Sequence, residues 1–161
     1  MKYPQDDRDK IVDAYADMVW RIALSRTRRE DAAEEVTQEV FLNLFAKERA
    51  FNEEEHRKAW LIRTTLICCK HYLTASFRNA TISLDEVGDL PTMSQGQSAV
   101  YETLLKMPAK YRIPLQMYYI EEMDSDACAK AMGLRPSTFR VRLSRGRNLL
   151  RELLKGEGID V

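Results

Sequence analysis

Glycine, proline and cysteine are scarce in this chain, and long apolar runs do not occur. Six Gly and five Pro among 161 residues argue against a fold built from many strands and turns. Apolar runs of only a few residues predict no bilayer span, and the acidic start lacks the apolar stretch of a secretory signal. Three cysteines, two of them adjacent, do not form a disulfide framework. We therefore expect a helical protein of the reducing cytoplasm.

Charge is abundant, and it is segregated along the chain. The formal net charge is zero, with 25 basic and 25 acidic residues. Residues 30–55 nevertheless carry nine acids and two bases, whereas residues 56–80 carry five bases and no acid. Residues 135–155 add six Arg, one Lys and a single acid. Two separate basic segments indicate two contacts with a polyanion, and the acidic segment indicates a basic protein partner. Solvated helix faces are the alternative interpretation of any single run.

The first half of the chain predicts three helices, over residues 7–26, 31–47 and 54–77, from apolar residues at spacings of three and four. The second helix has two stripes. One is apolar and inward-facing: Ala33, Val36, Val40, Phe41 and Leu44. The other is acidic with a single Leu: Glu35, Gln38, Glu39 and Leu42. Such a stripe suits docking on a basic helical partner, although exposed glutamates at this spacing are also commonplace.

The third helix combines bases with aromatic residues. Arg63 and Lys70 lie near Trp60 and Tyr72, a mixture typical of surfaces that bind single-stranded nucleic acid, with core packing as the alternative for Trp60. Cys68, Cys69 and His71 could be read as metal ligands. Adjacent helical residues point about 100° apart, and no second Cys/His pair completes the set. We therefore expect buried thiols, with no metal, no cofactor and no catalytic set.

The second half predicts a helix-turn-helix after an acidic, Gly/Pro/Ser-containing linker over residues 79–98. Val100, Leu104 and Met107 predict a short helix, and another covers residues 109–120. Asp124 is the expected N-cap of the next helix and Gly133 the turn. The arginine-rich helix that follows directs five residues outward, of types that suit a DNA major groove. These are Thr138, Arg140, Val141, Ser144 and Arg145. Arg142, Arg147 and Arg151 suit phosphate contacts or surface ion pairs.

With these segments assembled, the sequence resembles the extracytoplasmic-function (ECF) group of bacterial sigma factors. Residues 31–41 are similar to the polymerase-binding helix of that family, residues 59–63 to the start of its promoter-melting segment, and residues 105–112 with the helix-turn-helix to its C-terminal domain. The resemblance covers about residues 8–154. It implies an all-α, non-enzymatic protein of two small helical domains joined by a flexible acidic linker. The implied bounds are residues 1–78, a linker 79–98, a second domain 99–155 and a tail 156–161.

The resemblance also implies partners and roles for particular residues. The partners are core RNA polymerase, through its largest-subunit clamp helices and its flap, promoter DNA and an anti-sigma factor, with no insertion into a membrane. The resemblance assigns polymerase binding to Glu35, Gln38, Glu39 and Leu42. It assigns recognition of the minus-ten element to Trp60, Arg63, Ile67, Lys70 and His71. It assigns recognition of the minus-thirty-five element to Thr138, Arg140, Val141, Ser144 and Arg145.

The chain departs from the family at two places. Ile67 and His71 stand where Asn and Asp are frequent in the strand-opening helix, and residues 127–129 read Ala-Cys-Ala where Glu-Ile-Ala is common. The first departure predicts an unusual minus-ten preference. The second removes one polar contact and leaves the helix packing unchanged. A stand-alone helix-turn-helix regulator is the alternative function.

Overall fold

The computed structural model describes residues 5–47, 51, 53–79 and 98–159, and all regular structure in these ranges is helical. The helices are α1 (Gln5–Thr27), α2 (Glu30–Ala46), α3 (Glu54–Asn79), α4 (Ser98–Leu105), α5 (Ala109–Leu115), α6 (Ser125–Met132) and α7 (Pro136–Gly156). The chain divides into two compact units, Met1–Gly88 and Asp89–Val161. The all-α prediction with two small helical domains is confirmed. Most of the predicted linker, residues 80–97, lies outside the described residues.

The first unit is a three-helix packing in which α1 contacts both α2 and α3, and α2 contacts α3. Each helix contributes fully buried apolar side chains, among them Val19 and Ile22 of α1, Val36 of α2, and Leu61 and Ile62 of α3. The entire predicted inward stripe of α2 is buried. Since burial of that stripe fixes the rotation of α2 about its axis, it also determines which α2 residues face outward.

A short turn joins α1 to α2 and sets the direction of the second helix. Arg28 adopts a positive φ of 62°, the left-handed conformation that commonly ends a helix. Thr27 donates its hydroxyl to the Ala23 carbonyl at 2.8 Å. Arg29 pairs with Asp31 at 2.8 Å, and the hydrogen bond from Arg29 lowers the pKa of the Asp31 carboxyl. Arg28 and Arg29, which follow α1 directly, therefore shape the turn.

The second unit is organised around α7, which contacts α4, α5 and α6. Arg112 of α5 is buried and donates to the carbonyl oxygens of Leu105 and Met107, so that it completes the hydrogen bonding where α4 ends. Pro114 lies inside α5 and has no amide hydrogen, and a π-helical turn over Gln116–Ile120 follows it. The predicted helix over residues 109–120 is therefore present. Its first part is α-helical and its last part, Gln116–Ile120, is π-helical.

The short helix predicted from Val100, Leu104 and Met107 is present as α4. Its buried side chains are Tyr101, Leu104 and Leu105, whereas Val100 is 48% exposed. Tyr101 provides a larger apolar surface than Val100 and turns toward the core. Val100 is thereby left on the surface of the second unit.

The helix-turn-helix is confirmed in its local details. The Asp124 carboxylate accepts the amide hydrogen of Ala127 at 2.8 Å, which makes it the N-cap of α6. Gly133 has a φ of 67°, and the next amide, that of Leu134, donates to the Ala129 carbonyl at 2.8 Å. Helix α7 then begins at Pro136, whose missing amide hydrogen costs nothing at a helix start.

The C-terminal end of α7 is fastened to α4. Glu157 accepts hydrogen bonds from the Thr103 hydroxyl at 2.8 Å and from Lys106 at 3.2 Å, and these bonds lower the pKa of the Glu157 carboxyl. Helix α7 itself extends to Gly156. The first residues of the segment predicted as a tail thus belong to the packing of the second unit.

Helices α5 and α7 approach each other closely at Gly146. A Cβ at this buried position would lie 3.2 Å from Leu115 Cδ1 and 3.3 Å from the Tyr111 carbonyl oxygen. A backbone oxygen cannot move aside as a side-chain end can. The absence of a side chain at Gly146 therefore sets the distance between these two helices.

Gly146→Val should lower the free energy of unfolding of the second unit by about 1–3 kcal/mol, because the added methyl groups overpack the contact with α5. Urea unfolding of the full chain, followed by circular dichroism at 222 nm, measures the change. Gly156→Val is the matched control, since a Cβ there meets no atom within 4 Å. Equal shifts from both variants would contradict the assignment of Gly146 as a close-packing position.

Candidate functional site

The acidic stripe of α2, defined as Glu35, Gln38, Glu39 and Leu42, faces outward along its whole length. Leu42 is 69% exposed, a large fraction for an apolar side chain. The opposite side of α2 supplies the buried stripe described above. An exposed apolar residue at one end of a carboxylate-rich face is the arrangement that a basic helical partner would cover, and it matches the sequence-based expectation.

The acidic stripe is connected to α3 through a thiol. Cys68 of α3 is buried and hydrogen-bonds with Glu39; burial first, and the Glu39 charge second, raise the pKa of the Cys68 thiol to about 11. The carboxylate of Glu39 therefore faces solvent and at the same time contacts the neighbouring helix. Sequence reasoning did not reveal this contact, because Glu39 and Cys68 lie on different helices.

The α3 basic face, defined as Trp60, Arg63, Ile67, Lys70 and His71, occupies about 100° of the helix circumference. Arg63, Lys70 and His71 are exposed, and Ile67 is 43% exposed. Trp60 is half-buried, and its ring lies 6.0 Å from the ring centroid of Phe51. The structure thus brings together all five residues predicted for minus-ten recognition, with Trp60 partly in the packing.

The first turn of α3 differs in character from the basic face. Glu54 contacts the Tyr15 hydroxyl and the Arg57 guanidinium, and Arg57 lies 5.8 Å from the ring centroid of Phe51. Burial, with the hydrogen bond to Glu54, raises the pKa of Tyr15 to about 12. The same hydrogen bond lowers the pKa of Glu54. The hydrogen bond between Tyr15 and Glu54 joins α1 to α3. The acid-free part of α3 begins at residue 56.

A cleft in the second unit is formed by α7 together with the start of α5. We call it the α7 cleft. Its lining residues are Lys110, Tyr111, Ser137, Thr138, Val141, Arg142 and Arg145. Three of the five residues predicted for minus-thirty-five recognition, Thr138, Val141 and Arg145, line it, and Arg140 and Ser144 are exposed outside it. Lys110 and Tyr111 were missed by sequence reasoning, since only the packing of α5 on α7 brings them there.

An apolar groove lies elsewhere on the second unit. Its lining residues are Val100, Leu104, Leu115, Tyr119, Ile120, Arg147, Leu150, Arg151 and Leu154. Arg147 donates to the Tyr119 hydroxyl at 2.9 Å. Nine residues separate Arg147 from Thr138, so the two point in opposite directions from the α7 axis. Arg147 and Arg151, which the sequence suggested for phosphate contacts or ion pairs, therefore stand beside apolar surface on another side of the helix.

No helix in the described ranges combines the length and the apolar character that crossing a membrane requires. The same ranges contain no group of three or more His, Cys, Asp or Glu side chains placed to hold a metal ion.

Two family models match the chain, one in each unit. Sigma-70 region 2 matches residues 11–78, and Sigma-70, region 4 matches residues 97–150. The first match contains α2 and α3 with the acidic stripe and the α3 basic face. The second contains the α7 cleft.

Similar proteins agree with both matches. The ECF RNA polymerase sigma factor SigM of Bacillus subtilis is 26% identical, over 90% of this chain and 93% of its own. SigW of the same organism is 25% identical, over 96% of this chain and 92% of its own. In fold, the chain is similar to the sigma factor RpoE of Bartonella quintana, solved in complex with the anti-sigma factor NepR. The TM-score is 0.71 at 22% identity, with 92% of this chain and 97% of that one covered.

Two helical units, one carrying region 2 and the other a region 4 helix-turn-helix, define a subunit of the transcription machinery that selects promoters. The chain belongs to the sigma-70 family and is an ECF sigma factor. It binds core RNA polymerase and promoter DNA and directs promoter-specific initiation of transcription. The stand-alone regulator has less support, because region 2 accounts for the first unit.

The surroundings of the cysteines determine whether their thiols could act as nucleophiles. Cys68, Cys69 and Cys128 are buried, and none of the three forms a disulfide. Burial raises the pKa of Cys69 to about 12, as it raises that of Cys68 to about 11. A thiol needs to be a thiolate to attack as a nucleophile, and both environments oppose the loss of the proton. These two cysteines act as packing residues.

All three thiols should be unreactive toward Ellman's reagent in the folded protein near pH 7.5, because they are buried and because Cys68 and Cys69 hold their protons. Addition of denaturant should release all of them to rapid reaction. Absorbance at 412 nm measures the number of thiols and the rate. Rapid labelling of Cys68 or Cys69 in the native protein would contradict the packing role.

Proposed function

We propose that this sigma factor divides its work among four surfaces. The acidic stripe binds polymerase, the α3 basic face binds the minus-ten element, the α7 cleft with its flanks binds the minus-thirty-five element, and the apolar groove binds the polymerase flap. The observation that carries the proposal is the opposition of charge on neighbouring helices. Exposed carboxylates lie on α2. By contrast, α3 contains no acid from residue 56 to its end. One surface suits a protein of positive charge and the other suits DNA.

The acidic stripe supports binding to the clamp helices of the largest polymerase subunit. Glu35 and Glu39 provide charge that steers a basic partner, and Leu42 provides an apolar contact that excludes water at one end of the stripe. The interaction between Glu39 and the Cys68 thiol links the acidic stripe to α3.

The α3 basic face supports binding to the opened non-template strand of the minus-ten element. Arg63 and Lys70 are separated by about two turns, or about 10 Å along the helix axis, so that they can contact different phosphates. Trp60 presents part of its ring at the start of the face. Cations that hold the backbone and an aromatic ring that contacts bases are the two components of single-strand binding.

The α7 cleft supports binding to the minus-thirty-five element. Arg145 and Thr138 can contact base edges, and Val141 can contact a thymine methyl group, while Arg140 and Ser144 extend the surface along the major groove. Lys110 and Tyr111 lie at the edge of the cleft, with the Lys110 ammonium 4.9 Å from the Tyr111 ring centroid. Their position on another helix suits a phosphate contact that orients α7.

The apolar groove supports binding to the polymerase flap through an apolar helix of that partner. Val100 and Ile120 are exposed apolar residues, and Arg147 and Arg151 place positive charge beside them. The groove lies away from the α7 cleft, so that DNA and protein can bind the second unit together. This assignment also accounts for the exposure of Val100.

Regulation and location complete the proposal. The fold relatives RpoE and CnrH were solved with NepR and with the cytosolic domain of CnrY, respectively. We infer that an anti-sigma factor likewise restrains this chain by covering exposed apolar residues such as Leu42. The protein acts in the cytoplasm, where polymerase and promoters are found, and it is not an enzyme.

Glu39→Lys should weaken assembly with core polymerase by about tenfold or more, because the reversed charge repels a basic partner surface. Glu39→Gln should cause a smaller loss, because it removes the charge and preserves a hydrogen-bonding side chain beside Cys68. Fluorescence titration of labelled full-length chain with core polymerase gives the dissociation constants.

Asp17→Lys makes the same charge change on an exposed residue of α1 and is the matched control. It should leave assembly close to that of the unchanged chain. Equal losses from Glu39→Lys and Asp17→Lys would show that net charge, and not the acidic stripe, governs assembly.

Arg145→Ala and Lys110→Ala should weaken promoter binding in different ways. Loss of Arg145 should cost about 1–3 kcal/mol at one base pair of the minus-thirty-five element and relax specificity there. Loss of Lys110 should weaken all promoters alike and reduce the slope of log K against log salt by about one. Binding of holoenzyme to a promoter library at several salt concentrations separates the two. A uniform loss with Arg145→Ala would refute its role in base reading.

A further inference from the structure

Ile67 occupies the centre of the α3 basic face. It is 43% exposed, with Arg63 four residues before it and with Lys70 and His71 three and four residues after it. These are the helical spacings at which side chains are direct neighbours, about 5–6 Å apart at Cβ. A branched aliphatic side chain is therefore surrounded by exposed residues that carry or can carry positive charge.

Ile67 is not one of the fully buried core residues of α3. The buried side of α3 consists of other residues, including Leu61, Ile62, Thr65, Cys68 and Cys69. No acid occurs from residue 56 to residue 80, whereas five bases do. The surface around Ile67 is thus complementary in charge to a nucleic-acid backbone, and Ile67 itself can offer only an apolar contact.

We propose that Ile67 recognises the 5-methyl group of a thymine in the opened minus-ten strand, and that it gives this sigma factor a preference for thymine at that position. The inference rests on the proposed function of the α3 basic face. Among the four DNA bases, only thymine carries an apolar substituent on its edge. With phosphates held by Arg63 and Lys70 on either side, an intervening base lies over Ile67. Contact with the methyl group removes apolar surface of both partners from water.

The size of the expected effect follows from the group that makes the contact. Burying one methyl-sized apolar group changes affinity about fourfold, which corresponds to ~0.8 kcal/mol. Uracil has the same hydrogen-bonding edges as thymine and lacks the methyl group. Exchange of thymine for uracil therefore isolates this contact from every hydrogen bond to the base.

The experiment uses holoenzyme reconstituted from the full chain and core polymerase. The probes are two pools of forked duplex DNA with a randomised single-stranded non-template segment, one pool made with thymine and the other with uracil. Holoenzyme should enrich thymine at one position of the first pool. Enrichment of uracil at the same position of the second pool should be about fourfold lower. Equal enrichment in the two pools would overturn the inference.

Two variants assign the effect to Ile67. Ile67→Ala should make the thymine and uracil pools equivalent, and as a surface truncation it leaves the buried side of α3 intact. Ile67→Leu conserves an apolar side chain of the same size and should retain most of the difference. A thymine preference that survives in Ile67→Ala, or is lost in Ile67→Leu, would refute the assignment to an apolar contact at Ile67.

The selection also separates this inference from the function on which it rests. If holoenzyme enriches no sequence in the single-stranded segment of either pool, the α3 basic face does not read the minus-ten element, and the proposed function fails there. If it enriches a sequence in which thymine and uracil are equivalent at every position, minus-ten reading stands and the role of Ile67 is refuted.

Discussion

The burial of one side of each helix is the constraint on which the rest of this protein depends. Once Val36, Val40 and Leu44 of α2 pack against α1 and α3, the rotation of α2 is fixed, and Glu35 and Leu42 have only solvent to face. The same holds for α3, where burial of one side leaves a basic face outside. The packing of the core thus determines where the charged surfaces lie. If a helix rotated by the equivalent of one residue, its charged stripe would move by about 100° around the helix axis.

The two surfaces of the first unit also have a fixed relation to each other. Helices α2 and α3 pack directly, and Cys68 contacts Glu39, which belongs to the acidic stripe, while its chain neighbour Ile67 belongs to the basic face. A partner that grips α2 therefore orients α3 without any rearrangement within the unit. This fixed relation fits the proposed function, because the cost of ordering the two surfaces relative to each other is met when the chain folds.

The parts that the sequence predicts well are those governed by local periodicity and capping. Spacings of three and four predict the described helices α1 to α7 and the outward stripe of α2. Residues with special backbone roles predict the Asp124 cap and the Gly133 turn. The parts that it missed depend on contacts between helices. Competition between Val100 and Tyr101 for the core, and the approach of Lys110 to α7, involve partners that no local pattern specifies.

Gly146 shows how one such contact couples separate surfaces. The Cβ that it lacks would meet the carbonyl oxygen of Tyr111 and the side chain of Leu115, two residues one helical turn apart on α5. Tyr111 lines the α7 cleft, and Leu115 lines the apolar groove. Since both depend on the same distance between α5 and α7, any change that separates these helices displaces one wall of each surface at once. The shapes of the cleft and of the groove are therefore linked through the backbone of α5, although the two lie on different sides of α7.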